Sequence, residues 1–126
     1  MQTALNNAVH RFESPVREID RAQRFYEALL GKPLRREPKG ADTLAVFDAD
    51  AAGVGGCLLA RHGARPADAG TVVYLNAGPA LDPVLARVEP AGGRIDTPKT
   101  VLPDDIGCFA LITDSEGNRV GLHAPK

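Results

Sequence analysis

Glu18-Ile19-Asp20-Arg21-Ala22 and Ala80-Leu81-Asp82-Pro83-Val84 decide the fold, because the second stretch repeats the plan of the first. Apolar and acidic positions coincide, and Asp20 and Asp82 stand 62 residues apart. The same shift pairs Glu27 with Glu89, Gly31 with Gly93, Asp42 with Asp104, Phe47 with Phe109 and Gly55 with Gly117. Identity is sparse, yet helix starts, helix stops and strand positions recur together. A duplicated unit of this size builds one domain around a pseudo-two-fold axis, with a site between the copies.

Outward from that repeat, residues 9–16 read as a strand with Phe12 and Val16 on one face and Arg11, Glu13 and Pro15 on the other. Pro15 lacks an N–H for the ladder, which points to an edge strand or a bulge. From Asp20, Ala22, Phe25, Tyr26, Leu29 and Leu30 fall at helical spacing, with Asp20 as N-cap and Gly31 and Pro33 as the stop. Strands over 33–37, 43–48 and 56–60 complete a first βαβββ unit, and the polar stretch 61–70 reads as a linker. The second unit opens with a strand over 71–77, pairing with the first at an offset of 61 residues. Asp82 then caps a helix whose first turn holds Pro83, Gly92-Gly93 ends it, and strands follow over 94–97, 108–114 and 119–123. Gly117 is the residue suited to positive φ in the turn 114–118.

Composition narrows the function classes. A chain of 126 residues is one domain by length, and its net charge of −1 gives no footprint for nucleic acid or an anionic membrane. Trp is absent and only Tyr26 and Tyr74 represent Tyr, which leaves little surface for stacking bases. No apolar run approaches the roughly 20 residues of a membrane helix. Residues 1–9 show no basic stretch followed by an apolar core, so no secretory leader is expected and a cytoplasmic address is. Cys57 and Cys108 have neither CxxC nor zinc-ligand spacing and are expected to be small buried hydrophobes.

Pro15-Val16-Arg17-Glu18-Ile19-Asp20-Arg21-Ala22, Phe25-Tyr26-Glu27, Leu30-Gly31, Val73-Tyr74-Leu75-Asn76, Ala91-Gly92-Gly93 and the run Asp114 to Leu122 together make the chain resemble the vicinal oxygen chelate superfamily. That superfamily groups glyoxalases, bleomycin-resistance proteins and extradiol dioxygenases. The resemblance implies an α+β fold in a single domain over 1–126. Two tandem βαβββ modules (about 8–60 and 71–123) would form a curved eight-stranded sheet around a central cleft, with helices outside. It also implies a homodimer. In metal-dependent relatives four cavity-facing side chains bind a divalent ion, one from the first and one from the last strand of each module. Those places fall here on Arg11, Leu59 or a neighbour, Val72 and Gly121. A guanidinium offers no lone pair, and the others are apolar or lack a side chain. The usual divalent metal is therefore not expected, and no cofactor is predicted.

Strand alternation names the side chains that would face the cleft instead: Arg11, Glu13, Tyr74, Asn76, Arg119 and His123. Glu13 and His123 are a candidate acid–base pair, and Arg11, Tyr74, Asn76 and Arg119 are candidate ligand-binding residues. The alternative for Glu13 is a structural ion pair with Arg11 or Arg119. Two functions use this set, and a third reading makes the chain mainly a dimerising structural partner with a vestigial cleft. One is a glyoxalase/bleomycin-resistance-like protein that binds a small polar molecule between its modules without the usual metal. The other is a glyoxalase-type lyase or isomerase using a non-standard metal set or Glu13–His123 chemistry.

Overall fold

A computed structural model describes residues 7–126 and shows the βαβββ order twice. The first module contains β1 (Arg11–Pro15), α1 (Ile19–Leu30), β2 (Arg35–Lys39), β3 (Asp42–Phe47) and β4 (Gly55–Ala60). The second contains β5 (Tyr74–Asn76), α2 (Asp82–Ala91), β6 (Arg94–Val101), β7 (Cys108–Thr113) and β8 (Arg119–Ala124). The reading of residues 1–9 falls mostly on 1–6, which lie outside the described residues.

The α+β class and the paired modules hold, but the strands divide into two sheets of four, ordered β1-β4-β3-β2 and β5-β8-β7-β6, rather than one hydrogen-bonded sheet of eight. In each sheet the first and last strands of the module pair in parallel and the remaining pairs are antiparallel. Pro15 ends the edge strand β1, where its missing N–H costs no ladder bond. The helices pack on one face of the sheets and on each other, and Arg87 Nε donates to the Leu29 carbonyl at 2.9 Å. Ala22, Phe25, Tyr26 and Leu29 of α1 and Val84 and Val88 of α2 are buried, as helical spacing requires. They join Ala45, Leu58, Ala110, Ile112 and Leu122 in one core shared by both modules. Cys57 and Cys108 are buried, as expected.

The helix starts differ from the sequence reading. Helix α1 begins at Ile19 with Glu18 as its N-cap, and the Asp20 carboxylate bonds Arg36 at 2.7 Å instead of capping. Helix α2 begins at Asp82, whose carboxylate pairs with Lys99 at 3.2 Å. The anion that serves the start of α1 comes from the other module. Glu116, in the β7–β8 turn, accepts from the backbone amides of Arg17 and Glu18 at 2.9 Å each and from Arg21 Nε at 2.7 Å. Beside it, Tyr26 donates its hydroxyl to Asp114 at 2.6 Å, and Asn118 donates to the Pro15 carbonyl at 2.7 Å. The two sheets are therefore joined by a polar seam and the shared core. Gly117 has φ 96°, as the turn requires.

Strand β5 is shorter than the expected 71–77, because the Arg119 amide donates to Ala67 of the linker and so is not available to residues 71–72. The constant offset also fails toward the module ends. Val16 and Ala77 donate equivalent amide bonds, to Leu59 and to His123, so the last strands correspond at an offset of 64. Cys57, not Leu59, is thus the counterpart of Gly121, which the ladder places opposite Tyr74 as it places Cys57 opposite Glu13. Phe47 faces the core and Phe109 the opposite face, so those two are not equivalent.

Candidate functional site

The helices cover one face of each sheet, and the other face is where the candidate residues stand. On the first sheet, alternation brings Arg11 and Glu13 of β1, Arg35 and Glu37 of β2, Leu44 and Val46 of β3, and Cys57 and Leu59 of β4 to this face. All of these but Glu13 and Leu59 border an open groove of about 470 Å³ whose floor includes Leu44, Val46 and Cys57 and whose rim carries Arg11, Arg35, Glu37, Asp48 and Asp50. Leu44, Cys57 and Leu59 are buried and form their own small cluster with Val46. Arg11 pairs with Glu13 at 3.3 Å and approaches the Cys57 sulfur at 3.9 Å. Arg35 pairs with Glu37 and, at 3.1 Å, with Asp48, and these carboxylates hold its guanidinium more firmly protonated than usual.

On the second sheet, Tyr74, Leu102, Phe109 and His123 enclose a smaller notch of about 270 Å³. His123 Nε2 stands 2.9 Å from the Ile106 carbonyl, and since a carbonyl only accepts, Nε2 carries the proton. Asn76 turns back on its own chain, its Oδ1 accepting from the Gly78 amide at 2.8 Å. Arg119 is exposed at the start of β8 and lines neither depression.

All six residues named from strand alternation therefore occupy the expected face, but they form two groups. Arg11 and Glu13 stand together on one sheet, Tyr74 and His123 on the other. Among the described residues no hydrogen bond or ion pair joins Glu13 to His123: the first turns to Arg11, the second to Ile106. An exposed ion pair such as Arg11–Glu13 contributes about 0–1 kcal/mol, so it sets local charge more than stability.

What sequence reasoning missed is the apolar part of this face: Leu44, Val46, Cys57, Leu102 and Phe109. A signal for it exists in Leu44-Ala45-Val46-Phe47, Cys57-Leu58-Leu59 and Cys108-Phe109-Ala110-Leu111-Ile112, which are apolar at consecutive positions. Such strands have no face suited to water and expect cover on both sides. The face is thus an apolar floor with a polar rim, not the uniformly polar cleft that β1, β5 and β8 alone suggest.

The most perturbed carboxyl lies elsewhere, in the seam. Burial pushes the Glu116 carboxyl up, but the Arg21 guanidinium, the Glu18 amide, the Ser115 hydroxyl and the Arg17 amide outweigh it and bring the pKa down to about 2. Burial, with the Asp114 carboxylate beside it, raises the Tyr26 hydroxyl well above the usual phenol range. Every bond in this set is internal to the fold, which makes it structural.

Paired βαβββ modules presenting an open, mixed apolar and polar face define a protein built like the glyoxalases and antibiotic-resistance proteins. The chain belongs to the Glyoxalase/Bleomycin resistance protein/Dioxygenase superfamily, whose family model matches residues 8–122. Among solved structures it resembles TnmS3, an antibiotic binding protein from Streptomyces sp. CB03234, at 24% identity and a TM-score of 0.73, covering 99% of this chain and 100% of that one. It resembles a glyoxalase/bleomycin resistance protein from Albidiferax ferrireducens T118 at 18% identity and a TM-score of 0.71, covering 94% and 99% of the two chains. It also resembles glyoxalase I from Zea mays at 21% identity and a TM-score of 0.71, where 92% of this chain spans 45% of that one. No curated protein matches the sequence. These likenesses share a fold that carries many chemistries. No helix among the described residues is long and apolar enough to cross a membrane.

The fold family implies a divalent metal in some members, bound by several donors around one point. The four positions hold Arg11, Val72, Gly121 and, by ladder register, Cys57. Among the described residues no three His, Cys, Asp or Glu side chains converge. One thiol beside a guanidinium does not make a divalent site, which needs several N, O or S donors around one point.

Proposed function

We propose that this chain is a binding protein that holds a small amphipathic molecule on the open face of its sheets and does so without a divalent metal. The observation that supports it is the replacement of the expected ligand positions by Arg11, Val72, Cys57 and Gly121, over an apolar floor. Ligand sites are commonly apolar concavities with a few placed polar groups, which is the composition of the groove beneath Arg11 and Arg35. The likeness to an antibiotic binding protein along its full length is consistent with binding without turnover. Relative to the small polar ligand expected from sequence, the floor of Leu44, Val46 and Cys57 favours a molecule with an apolar body, its polar or anionic end at the arginines.

Titration calorimetry against metabolite and antibiotic panels, with a chelator present and no metal added, tests this reading. Saturable heats unchanged by chelator are expected. Loss of all binding in chelator, restored by one stoichiometric metal, would overturn it in favour of a metalloenzyme. We also propose a homodimer, since two-fold dimers are the commonest soluble oligomers. Light scattering is expected to give twice the chain mass, and a monomer mass contradicts the proposal.

A further inference from the structure

The notch on the second sheet has features that the binding of a generic polar molecule does not need. Gly121 lies opposite Tyr74 in the parallel ladder, and a Cβ built on it would fall 2.3 Å from Tyr74 Cδ1 and 2.6 Å from Cε1. Any side chain there would push the phenol ring aside, so glycine lets it lie against β8. The ring meets Phe109 edge to face, with centroids 6.0 Å apart and planes at 76°, yet Tyr74 remains 50% exposed. With Gly121 against the ring and half of Tyr74 in solvent, the phenol is available to whatever enters the notch.

The far wall is fixed as well. Leu102 donates its amide to the Gly107 carbonyl at 2.8 Å, closing the β6–β7 loop on itself. His123 Nε2–H holds the same loop through the Ile106 carbonyl at 2.9 Å. The loop carries Asp104 and Asp105 at φ 58° and 57°, a left-handed conformation that costs non-glycine residues energy. Gly107 packs so closely that a Cβ there would lie 2.3 Å from the Ala124 carbonyl. Strain of this kind persists only where surrounding contacts over-determine the geometry. Among the described residues no carboxylate, ammonium or guanidinium lines the notch, in contrast to the groove on the first sheet.

We propose that the Tyr74–Phe109–Leu102–His123 notch is a recognition site for a planar aromatic ring, and that Gly121 is the residue that creates it by letting Tyr74 lie flat. This rests on the reading of the chain as a small-molecule binding protein and gives the second sheet a ligand class of its own, apart from the groove on the first. Offset stacking on Tyr74 distinguishes a flat ring from a saturated one of equal hydrophobicity.

The test uses 2-naphthol and its saturated counterpart, decahydro-2-naphthol, with the full chain labelled at tyrosine ring carbons. Only Tyr26 and Tyr74 then report, and Tyr26 is buried, so it serves as an internal reference. Titration with 2-naphthol is expected to move the Tyr74 signals saturably and leave Tyr26 unmoved, with affinity at least fivefold above that for decahydro-2-naphthol. Gly121→Ala is expected to weaken 2-naphthol at least tenfold. Tyr74→Leu, read by naphthol fluorescence, keeps apolar bulk without a ring; it should do the same and decides the matter if Gly121→Ala does not fold. Equal affinity for the two probes, no saturable Tyr74 shift, or unaltered 2-naphthol binding in Tyr74→Leu overturns the proposal. Equal affinity for the two naphthols alongside a panel ligand that binds the first-sheet groove would sink the aromatic notch alone, whereas a panel without any ligand would sink the broader reading.

Discussion

Each module lays an aromatic ring against a glycine of its neighbouring parallel strand, yet the two rings lie on opposite faces. In the first module Phe12 crosses Gly56, whose added Cβ would fall 2.4 Å from the ring, and Phe12 packs on Phe47 at 5.6 Å against the core. In the second module Tyr74 crosses Gly121 on the open face. By the offset of the first strands, Phe12 corresponds to Val73 and Glu13 to Tyr74. A displacement of one residue is enough to move a ring from core to surface, because side chains alternate at every position. One duplicated backbone thus holds a ring against the core in one copy and a half-exposed ring in the other.

The comparison requires the two modules to be held as one body, and the seam is where to break it. Glu116→Ala removes an anion that serves two backbone amides and Arg21, and should cost about 3 kcal/mol of stability, as breaking a buried ion pair does. Chemical denaturation measures it, and a change under about 1 kcal/mol would deny the seam this role. The pH dependence has a definite sign. The Glu116 carboxyl has a pKa near 2 folded against 4.5 ordinarily, so its contribution is complete above pH 4.5 and fades as pH falls toward 2. Melting curves of the wild type and Glu116→Gln should therefore differ most near neutrality and converge in acid.

Next in size is the pair of glycine substitutions. Gly56→Ala drives a methyl into the packed Phe12 ring and should destabilise by about 1–3 kcal/mol, the usual range for overpacking. Gly121→Ala displaces a ring that is half in water, so its cost should stay under about 1 kcal/mol. Equal costs for the two would erase the distinction between a glycine under a core ring and one under a half-exposed ring. The smallest effect concerns β1. Glu13→Gln should change stability by less than about 0.5 kcal/mol, since the Arg11–Glu13 pair is exposed, and should leave binding to panel ligands within about twofold. Loss of a catalysed reaction in this variant would instead return Glu13 to an acid–base role.

Much of this was legible in the chain. The helix stripes, the Gly31 and Gly117 positions and the face shared by Arg11, Glu13, Tyr74, Asn76, Arg119 and His123 all follow from period and alternation, which local geometry imposes. The apolar floor was less legible, because Leu44 and Val46 look like core residues until neighbouring strands show which face the helices cover. Asp20 misled as a cap because its attraction to Arg36 and the arrival of Glu116 are contacts across 16 and 98 residues, invisible to a local rule.

By itself the sequence determined the duplicated βαβββ plan and the lack of metal donors at Arg11, Val72 and Gly121, since these depend on residue type and spacing alone. Only the tertiary structure decided that the strands close into two sheets, that Cys57 answers to Gly121, and that Glu13 and His123 turn to different partners. Register and seam depend on hydrogen bonds between residues far apart in the chain, and no local period encodes which of them form.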